Sequence, residues 1–528
     1  MMKKEREKNM KKMKKVKKIV SLSVVFAMTA TMLAGCGGDN KSNTGGNSDG
    51  NNTASGDSEE PYEVVIEMLG SGVAQAGTAE VEAAINELTV PAINCTVKFR
   101  EIPIADHATQ LGLLGTDSDK IDIVFVGYTT SMQTLVANGL LVDIGDLLNQ
   151  YGQEMLDKAG ILMDACKVGD GTYCVPGNYY PATVDSLAYD KEKVEEFNIQ
   201  IPDNPEDSYD WLRKYYAAIK DSDYDGYGFS AGDGVTLSIT GHNMEKFGAS
   251  MGAEAIYGVL LDMEKDTNIV NVYNTDEYLE EVKFRRECWE KGYMVPDSLT
   301  SGNNEIGAMM ARQIIGRPSP VNATSVYNNK NLVGYEQACV PLGEAVLTGS
   351  SIPEYGLGVT ITSERPDKAV QLLNMIMTNA DLANLMNYGI EGKHYVKVSD
   401  RIIENPEGVD FSNAEWGMQI CSYGDSAQIY HKTPFTEEWY DTVDEYGADK
   451  ATPSQAFGYV FNSESVKTQV AAVTSVVAEY NPSLMCGLVE DVESRVAEFN
   501  AALETAGIND IIAENQRQFD EWRASKGK

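Results

Sequence analysis

Residues Ile121-Asp122-Ile123-Val124-Phe125-Val126 form an almost unbroken apolar run. A strand with one wet face alternates apolar and polar residues, whereas a strand buried on both faces of a parallel sheet does not. The run therefore reads as a central strand covered by helices on both sides, and Asp122 within it as a structural hydrogen-bonding group. Upstream, YEVVIEML (62–69) reads as another strand, closed by the Gly70-Ser71-Gly72 loop. Val81, Ala84, Ile85 and Leu88 then recur at helical spacing, with Glu80 and Glu82 in the first turn and Pro91 closing the segment. Thr96 to Ile102 is a second strand, and a short helix is expected around Ala108 to Leu114. This β-α-β-α-β order argues for an α/β layer with ligand loops at the C-terminal ends of its strands.

Downstream of the run, residues 129–165 look mainly helical and lead into a hairpin from Cys166 to Val175 whose turn is Asp170-Gly171. Thr183 to Tyr189 reads as a strand, followed by helices at 191–197 and from Glu206 to Ile219, and helices dominate to about Glu290. Gly307 to Ile315, with the break Gly316-Arg317-Pro318, marks a return crossing. Gly356 to Thr362 is a strand, and Ala369, Leu372, Leu373 and Ile376 give an amphipathic helix. Two helices close the chain, one through Val492, Val496, Phe499 and Leu503, the other through Ile508, Ile511, Ile512, Phe519 and Trp522. Trp211, Trp289 and Trp522 stand at helical spacing with apolar neighbours and read as core.

The N-terminal region sets the compartment. Lys11-Lys12 and Lys14 to Lys18 precede an apolar stretch from Ile19 to Ala34, the order of a secretory signal. That stretch is shorter than the roughly 18 to 20 residues a membrane span needs. Leu33-Ala34-Gly35-Cys36 resembles the lipobox of bacterial lipoproteins, in which the signal is cut before a cysteine whose thiol carries a diacylglycerol. Acidic Glu5 and Glu7 are unusual so close to a signal's start, which leaves Met10 or Met13 as alternative initiators. Residues 37–60 hold Gly, Asn, Ser, Asp and Thr with no large apolar side chain, so they read as a tether. At ~5 to 6 Å × √n its typical span is roughly 25 to 30 Å.

The chain has 43 basic and 79 acidic residues, a net charge of −36. Most of the signal's charge is basic, so the mature chain is more acidic still. Such a surface cannot neutralise phosphates, which excludes nucleic acid as a partner. A core of 43% apolar residues over this length is expected to split into at least two domains. With Cys36 lipidated, seven cysteines remain, an odd number. Cys166 and Cys174 flank the hairpin turn and form the candidate disulfide. No CxxC pair or Cys/His cluster occurs, and the oxygen-rich loop Asp223 to Gly228 lacks EF-hand spacing, so no metal site is expected.

A lipobox, a polar tether, the β-α-β-α-β opening, a Gly-Asp-Gly-Thr-Tyr hairpin leading to Val175-Pro176, and Ser186-Leu187-Ala188-Tyr189-Asp190 with Val194 and Glu196 together resemble bacterial extracellular solute-binding proteins of family 1. Ala188 departs from that pattern, where a larger apolar residue is usual. Asn387-Tyr388-Gly389-Ile390-Glu391-Gly392-Lys393-His394-Tyr395, FGYVF (457–461) with Val466-Lys467-Thr468, Pro482-Ser483-Leu484 and Ile511-Ile512-Ala513-Glu514 resemble the Firmicute subgroup carrying the DUF3502 domain.

The resemblance implies a two-lobed α/β, periplasmic-binding-protein-like fold of type II with a ligand cleft between the lobes and a helical C-terminal region. The expected organisation is a signal at 1–35, lipidated Cys36 and tether at 36–60, lobe 1 at 61–178 plus about 321–395, and lobe 2 at about 179–320 plus 396–528. It implies a monomeric, lipid-anchored subunit on the outer face of the cytoplasmic membrane of a Gram-positive bacterium. There it would capture an oligosaccharide by hinge closure and deliver it to the transmembrane permease subunits of an ABC importer, with no cofactor and no covalent chemistry. The alternatives are a surface glycan-degrading enzyme and a sensory or interaction lipoprotein on the same fold. Paired carboxylates are all a glycosidase requires, but in so acidic a chain they occur by chance. Gly-x-Ser-x-Gly, His-Glu-x-x-His and P-loop signatures are missing.

A sugar site needs aromatic faces for stacking and polar side chains for the hydroxyls. Ser71 and Gln75 lie in the loop after the first strand, and Tyr128 follows the buried run. Tyr179, Tyr180 and Thr183 stand at the first crossing and Arg317 at the second. Trp416 and Tyr423 fall in a loop-rich stretch, and Glu391 and His394 lie in the Gly-flanked segment 389–395, where a helix cap is the competing role.

Overall fold

β1 (Tyr62–Gly70) runs parallel to β2 (Cys95–Pro103), Tyr62 opposite Cys95 through to Gly70 opposite Pro103. On its other side it meets β3 (Ile123–Val126) in parallel. The helix between β1 and β2, α1 (Thr78–Ile93), buries Val81 and Ile85 against this sheet. The computed structural model describes residues 60–527 except 73, 117–119, 178, 202–207, 232–242, 248–255, 297, 300–304, 326–329, 331–332, 350–351, 353–354, 411 and 419. The signal, Cys36 and the tether lie outside the described residues.

Asp122 has the structural role expected of it. Its fully buried carboxylate accepts from the Tyr62 hydroxyl at 2.8 Å, the Val65 amide at 2.8 Å and the Ser363 hydroxyl at 2.5 Å. These bonds offset the cost of burying it.

Short helices from Met132 to Cys166 lead to the hairpin, in which Lys167–Val168 pairs with Gly171–Thr172. Cys166 and Cys174 are both free and buried here, correcting the expected disulfide. The hairpin does bring the two thiols near one another: the neighbouring Cys166, with burial, pushes the Cys174 thiol well up, while Cys166 donates to the Leu162 carbonyl at 3.6 Å and Cys174 to the Met132 sulfur at 3.4 Å.

In the second lobe β4 (Val184–Asp190) is the central strand, and α2 (Ser208–Asp221) and α3 (Asp276–Glu290) pack against it. β5 (Gly316–Val321) and β6 (Gln337–Pro341) flank β4, both antiparallel. Leu187, Val340 and Ile315 bury against Trp211, Tyr215, Tyr216 and Phe284. β7 (Gly356–Val359) then rejoins the first sheet antiparallel to β3, giving the order β7-β3-β1-β2.

The return to the first lobe therefore comes after β6, at 342–355, and not at about 321 as expected. Gln337–Pro341 is five residues long with no distinctive alternation, so only its pairing with β4 assigns it. α4 (Pro366–Thr378) and α5 (Ala380–Tyr388) cover the first sheet through Ala369, Leu372, Leu373, Ile376 and Met386.

The stretch after 396, expected in lobe 2, divides. Trp416, Cys421 and Tyr423 belong to the first core, while Ile402, Phe435, Trp439, Tyr440 and Val443 form a small cluster of their own. α6 (Lys467–Met485), α7 (Val492–Ala506) and α8 (Ile508–Ser525) complete the second lobe, Val477, Phe499 and Leu503 joining its core. No described helix is long and apolar enough to cross a membrane.

Candidate functional site

Three backbone segments join the two sheets. Val175 exchanges both hydrogen bonds with Leu357, at 2.9 and 3.1 Å, and Thr183 does the same with Val346, at 3.1 and 2.9 Å. Val346–Leu347 also runs parallel to Thr452–Pro453, and the Ala182 amide donates to the Tyr446 carbonyl at 3.2 Å. A narrow ribbon held by backbone bonds can bend without breaking either core, as a hinge must. Gly177 lets the first two segments pass: a Cβ there would sit 2.1 Å from the Tyr355 carbonyl oxygen.

Because β1, β2 and β3 are parallel, Gly70, Pro103 and Val126 end at one edge of the first sheet, where open α/β sheets bind ligands. β7 runs the other way, so its first residue, Gly356, stands opposite Val126 at that same edge. The loops there present Tyr128 and Tyr355 as a ring pair, centroids 4.9 Å apart and planes at 32°. Tyr128 is half-buried, and Gly127 before it, at φ +84°, turns the chain out of the sheet. Tyr355 is 37% exposed with φ +62°, a left-handed conformation rare for a bulky side chain.

Tyr355 was missed by sequence reasoning, which put the second crossing at Arg317. An aromatic residue just before the Gly356 strand was the available signal.

The other candidates at this edge are partly committed elsewhere. Ser71 is exposed, its hydroxyl donating to Glu101 at 3.1 Å, and the Gln75 amide donates to the Gly417 carbonyl at 3.1 Å. Tyr180 is half-buried between the first core and the 402–443 cluster, and burial, then Asp425 and Asp444, raise its hydroxyl pKa. Tyr179 is buried in the first core with the Lys158 ammonium 5.4 Å from its ring centroid. Thr183 serves as a hinge pair. Arg317 lies on β5 opposite Ala188, 3.4 Å from Glu305. At about 3.3 Å per residue it is ~13 Å along the strand from Val321 at the hinge end.

Trp416 and Tyr423 are core residues and not cleft residues in this structure. Trp416 is 2% exposed, donates to the Met386 carbonyl at 3.1 Å and lies 5.1 Å from the Phe99 ring. Tyr423 is fully buried, stacks on Phe125 at 5.3 Å and donates its hydroxyl to the Glu67 carbonyl. The loop carrying them folds back onto the β1–β2 side of the sheet. His394 caps a turn: it is buried, its Nδ1 accepts from the Ile390 amide at 3.0 Å, and burial lowers its pKa. Glu391 is exposed, 3.5 Å from Lys397. Among the described residues no cluster suits a metal ion.

Comparison with known proteins agrees with this geometry. Residues 455–524 match the family DUF3502, a domain of unknown function. A carbohydrate ABC transporter substrate-binding protein of Streptococcus pneumoniae is 23% identical, covering 91% of this chain and 95% of its own. A crystal structure of the N-glycan transport solute binding protein of the same species superposes with a TM-score of 0.74 at 20% identity, covering 88% of this chain and 100% of that one. The chain has the two-lobed fold of solute-binding proteins. The same neighbour in complex with Man5GlcNAc gives 0.62, at 20% identity and over 88% and 99% of the two chains.

Within this solute-binding fold the DUF3502 region is the outer helical layer of the second lobe. Its first residues straddle the lobes: Phe457 sits in the first core, while Tyr459 packs with Phe247 and Phe519.

Proposed function

We propose that this chain is the substrate-binding subunit of an ABC importer and that it captures an oligosaccharide by closing its lobes. The observation that carries the reading is the Tyr128–Tyr355 ring pair at the point where the hinge enters the first lobe. Sugar rings present apolar C–H faces, which stack on such aromatic surfaces while their hydroxyls bond to polar neighbours. Ser71, in the loop that ends β1 at the same sheet edge, supplies a polar group.

Two lobes joined by a bendable ribbon can exchange between open and closed arrangements. A ligand that binds the closed form better shifts that equilibrium. The permease subunits then meet a loaded, closed protein. The relatives are binding proteins by name, which favours capture over glycan degradation.

The protein works facing the cell exterior. Anchoring through Cys36, with residues 37–60 as tether, keeps it at high effective concentration beside its permease on the outer face of the membrane.

Thermal-shift screening with a panel including Man5GlcNAc, followed by isothermal calorimetry for affinities, tests the reading. A binding glycan at 100 times its Kd stabilises the fold by about 2.7 kcal/mol, which raises Tm. Tyr128→Ala and Tyr355→Ala should each weaken it at least tenfold, about 1.4 kcal/mol. A panel in which no glycan raises Tm while peptides do sinks the sugar assignment.

A further inference from the structure

The loop that carries Tyr128 rests on a buried polar chain that reaches the surface only at its last member. Glu67, on β1, is fully buried, and its Oε2 accepts from the Phe125 amide at 2.8 Å. Its Oε1 lies 2.9 Å from Nε2 of His107, which is also fully buried. His107 Nδ1 lies in turn 2.6 Å from the Thr129 hydroxyl. Thr129 is exposed and directly follows Tyr128.

Glu67 Oε2 and His107 Nδ1 are each hydrogen-bonded, whereas Glu67 Oε1 and His107 Nε2 face one another at 2.9 Å without a hydrogen bond, a close polar contact between two groups buried together. A carboxylate thus stands 2.9 Å behind the imidazole while the ring's other nitrogen meets the Thr129 hydroxyl. The Tyr423 hydroxyl pins the Glu67 carbonyl from the other side, so the base of the chain is fixed in the core.

We propose that Glu67 and His107 are positioning residues for the ligand edge. Through Thr129 they hold loop 127–131 so that Tyr128 stays against Tyr355 before any ligand arrives. The inference rests on the reading of that edge as the ligand site, and it assigns a purpose to two buried titratable groups that packing alone does not require. The loop's other bonds lie at its two ends: the Gly127 amide donates to the Thr130 carbonyl at 3.0 Å and the Ser131 hydroxyl accepts from the Thr134 amide at 3.2 Å. Without the Thr129 anchor, Tyr128 would have to be ordered on binding, and affinity would fall by the cost of that ordering.

Thr129→Val removes the hydroxyl at an exposed position while keeping the side chain's shape, so the intact chain should still fold. Thr129→Ser restores the hydroxyl. Hydrogen exchange followed by mass spectrometry should show amides of 127–131, Gly127 above all, exchanging at least tenfold faster in Thr129→Val and at the parent rate in Thr129→Ser. Amides of β1 and β4 should not change in either. Calorimetry with Man5GlcNAc should show a five- to tenfold weaker complex for Thr129→Val alone. Parent-like exchange in Thr129→Val overturns the proposal, as does a Thr129→Ser variant that exchanges as fast as Thr129→Val. If Tyr128→Ala binds Man5GlcNAc as tightly as the parent, it is the ligand reading of this edge that falls, and with it the purpose of the anchor.

Discussion

Replacing Trp416 by alanine separates a core role from a ligand role at one position. The indole is 2% exposed, packs on Phe99 at 5.1 Å and donates to the Met386 carbonyl at 3.1 Å. A buried aromatic of this kind hides roughly 150 to 250 Å², which at ~25 cal/mol per Å² is about 4 to 6 kcal/mol, part of it retained by the alanine. The lost hydrogen bond adds about 1 kcal/mol. Large aromatic-to-alanine changes in cores cost about 3 to 5 kcal/mol, so a loss of about 4 kcal/mol is expected. That is a large share of a typical stability of about 5 to 15 kcal/mol. Trp416→Phe keeps most of the packing and should cost about 1 to 2 kcal/mol. Urea denaturation followed by circular dichroism measures both. A Trp416→Ala variant that loses under 1 kcal/mol yet no longer binds any glycan the parent binds would refute the core assignment.

Gly177→Ala forces a Cβ to within 2.1 Å of the Tyr355 carbonyl, so a backbone must move. A loss of about 1 to 3 kcal/mol is expected by denaturation, with weaker glycan binding as Tyr355 shifts; parent-like values in both would mean the hinge tolerates a side chain. Burial pushes the His431 imidazole down to about 4, against the opposing hydrogen bond that its Nε2 donates to the Ser426 carbonyl. Between that value and the ordinary one near 6.5 the unfolded chain binds the extra proton. Stability should therefore fall as pH drops from about 6.5 towards 4, and this group should have no effect above 6.5. The parent should lose roughly 2 to 3 kcal/mol more than His431→Gln between pH 7 and 4.5, and parallel curves would count against a neutral buried ring. Cys166 and Cys174 should resist iodoacetamide in the folded protein and react after unfolding without reductant; thiols still blocked in the unfolded, unreduced chain would mean they are bonded.

The sheet of the first lobe was readable because its strands differ in kind from what surrounds them. The run at 121–126 is too apolar to face water, and the α1 segment repeats at 3.6 residues, so the order β-α-β-α-β follows. Asp122 was legible for the same reason: a lone acid in a buried strand has to find donors. The terminal helices α7 and α8 were equally plain from their periodicity.

The candidate site was only half legible. Tyr128 follows a strand whose end could be located, so its place at the ligand edge could be inferred. Trp416 and Tyr423 sit in sequence with no periodicity, where an aromatic in a loop looks the same whether it faces a cleft or folds back onto a sheet. Their burial depends on Phe99 and Phe125, more than 290 positions earlier.

Local pattern by itself determined the strands and helices of the first lobe, and composition determined the chain's acidic character, because neither depends on which distant residues meet. Tertiary structure alone decided which lobe residues 337–341 and 405–425 join, that Tyr355 meets Tyr128, and that Glu67, His107 and Thr129 form one chain. Those depend on which strand pairs with which, and pairing brings together residues that no local spacing connects.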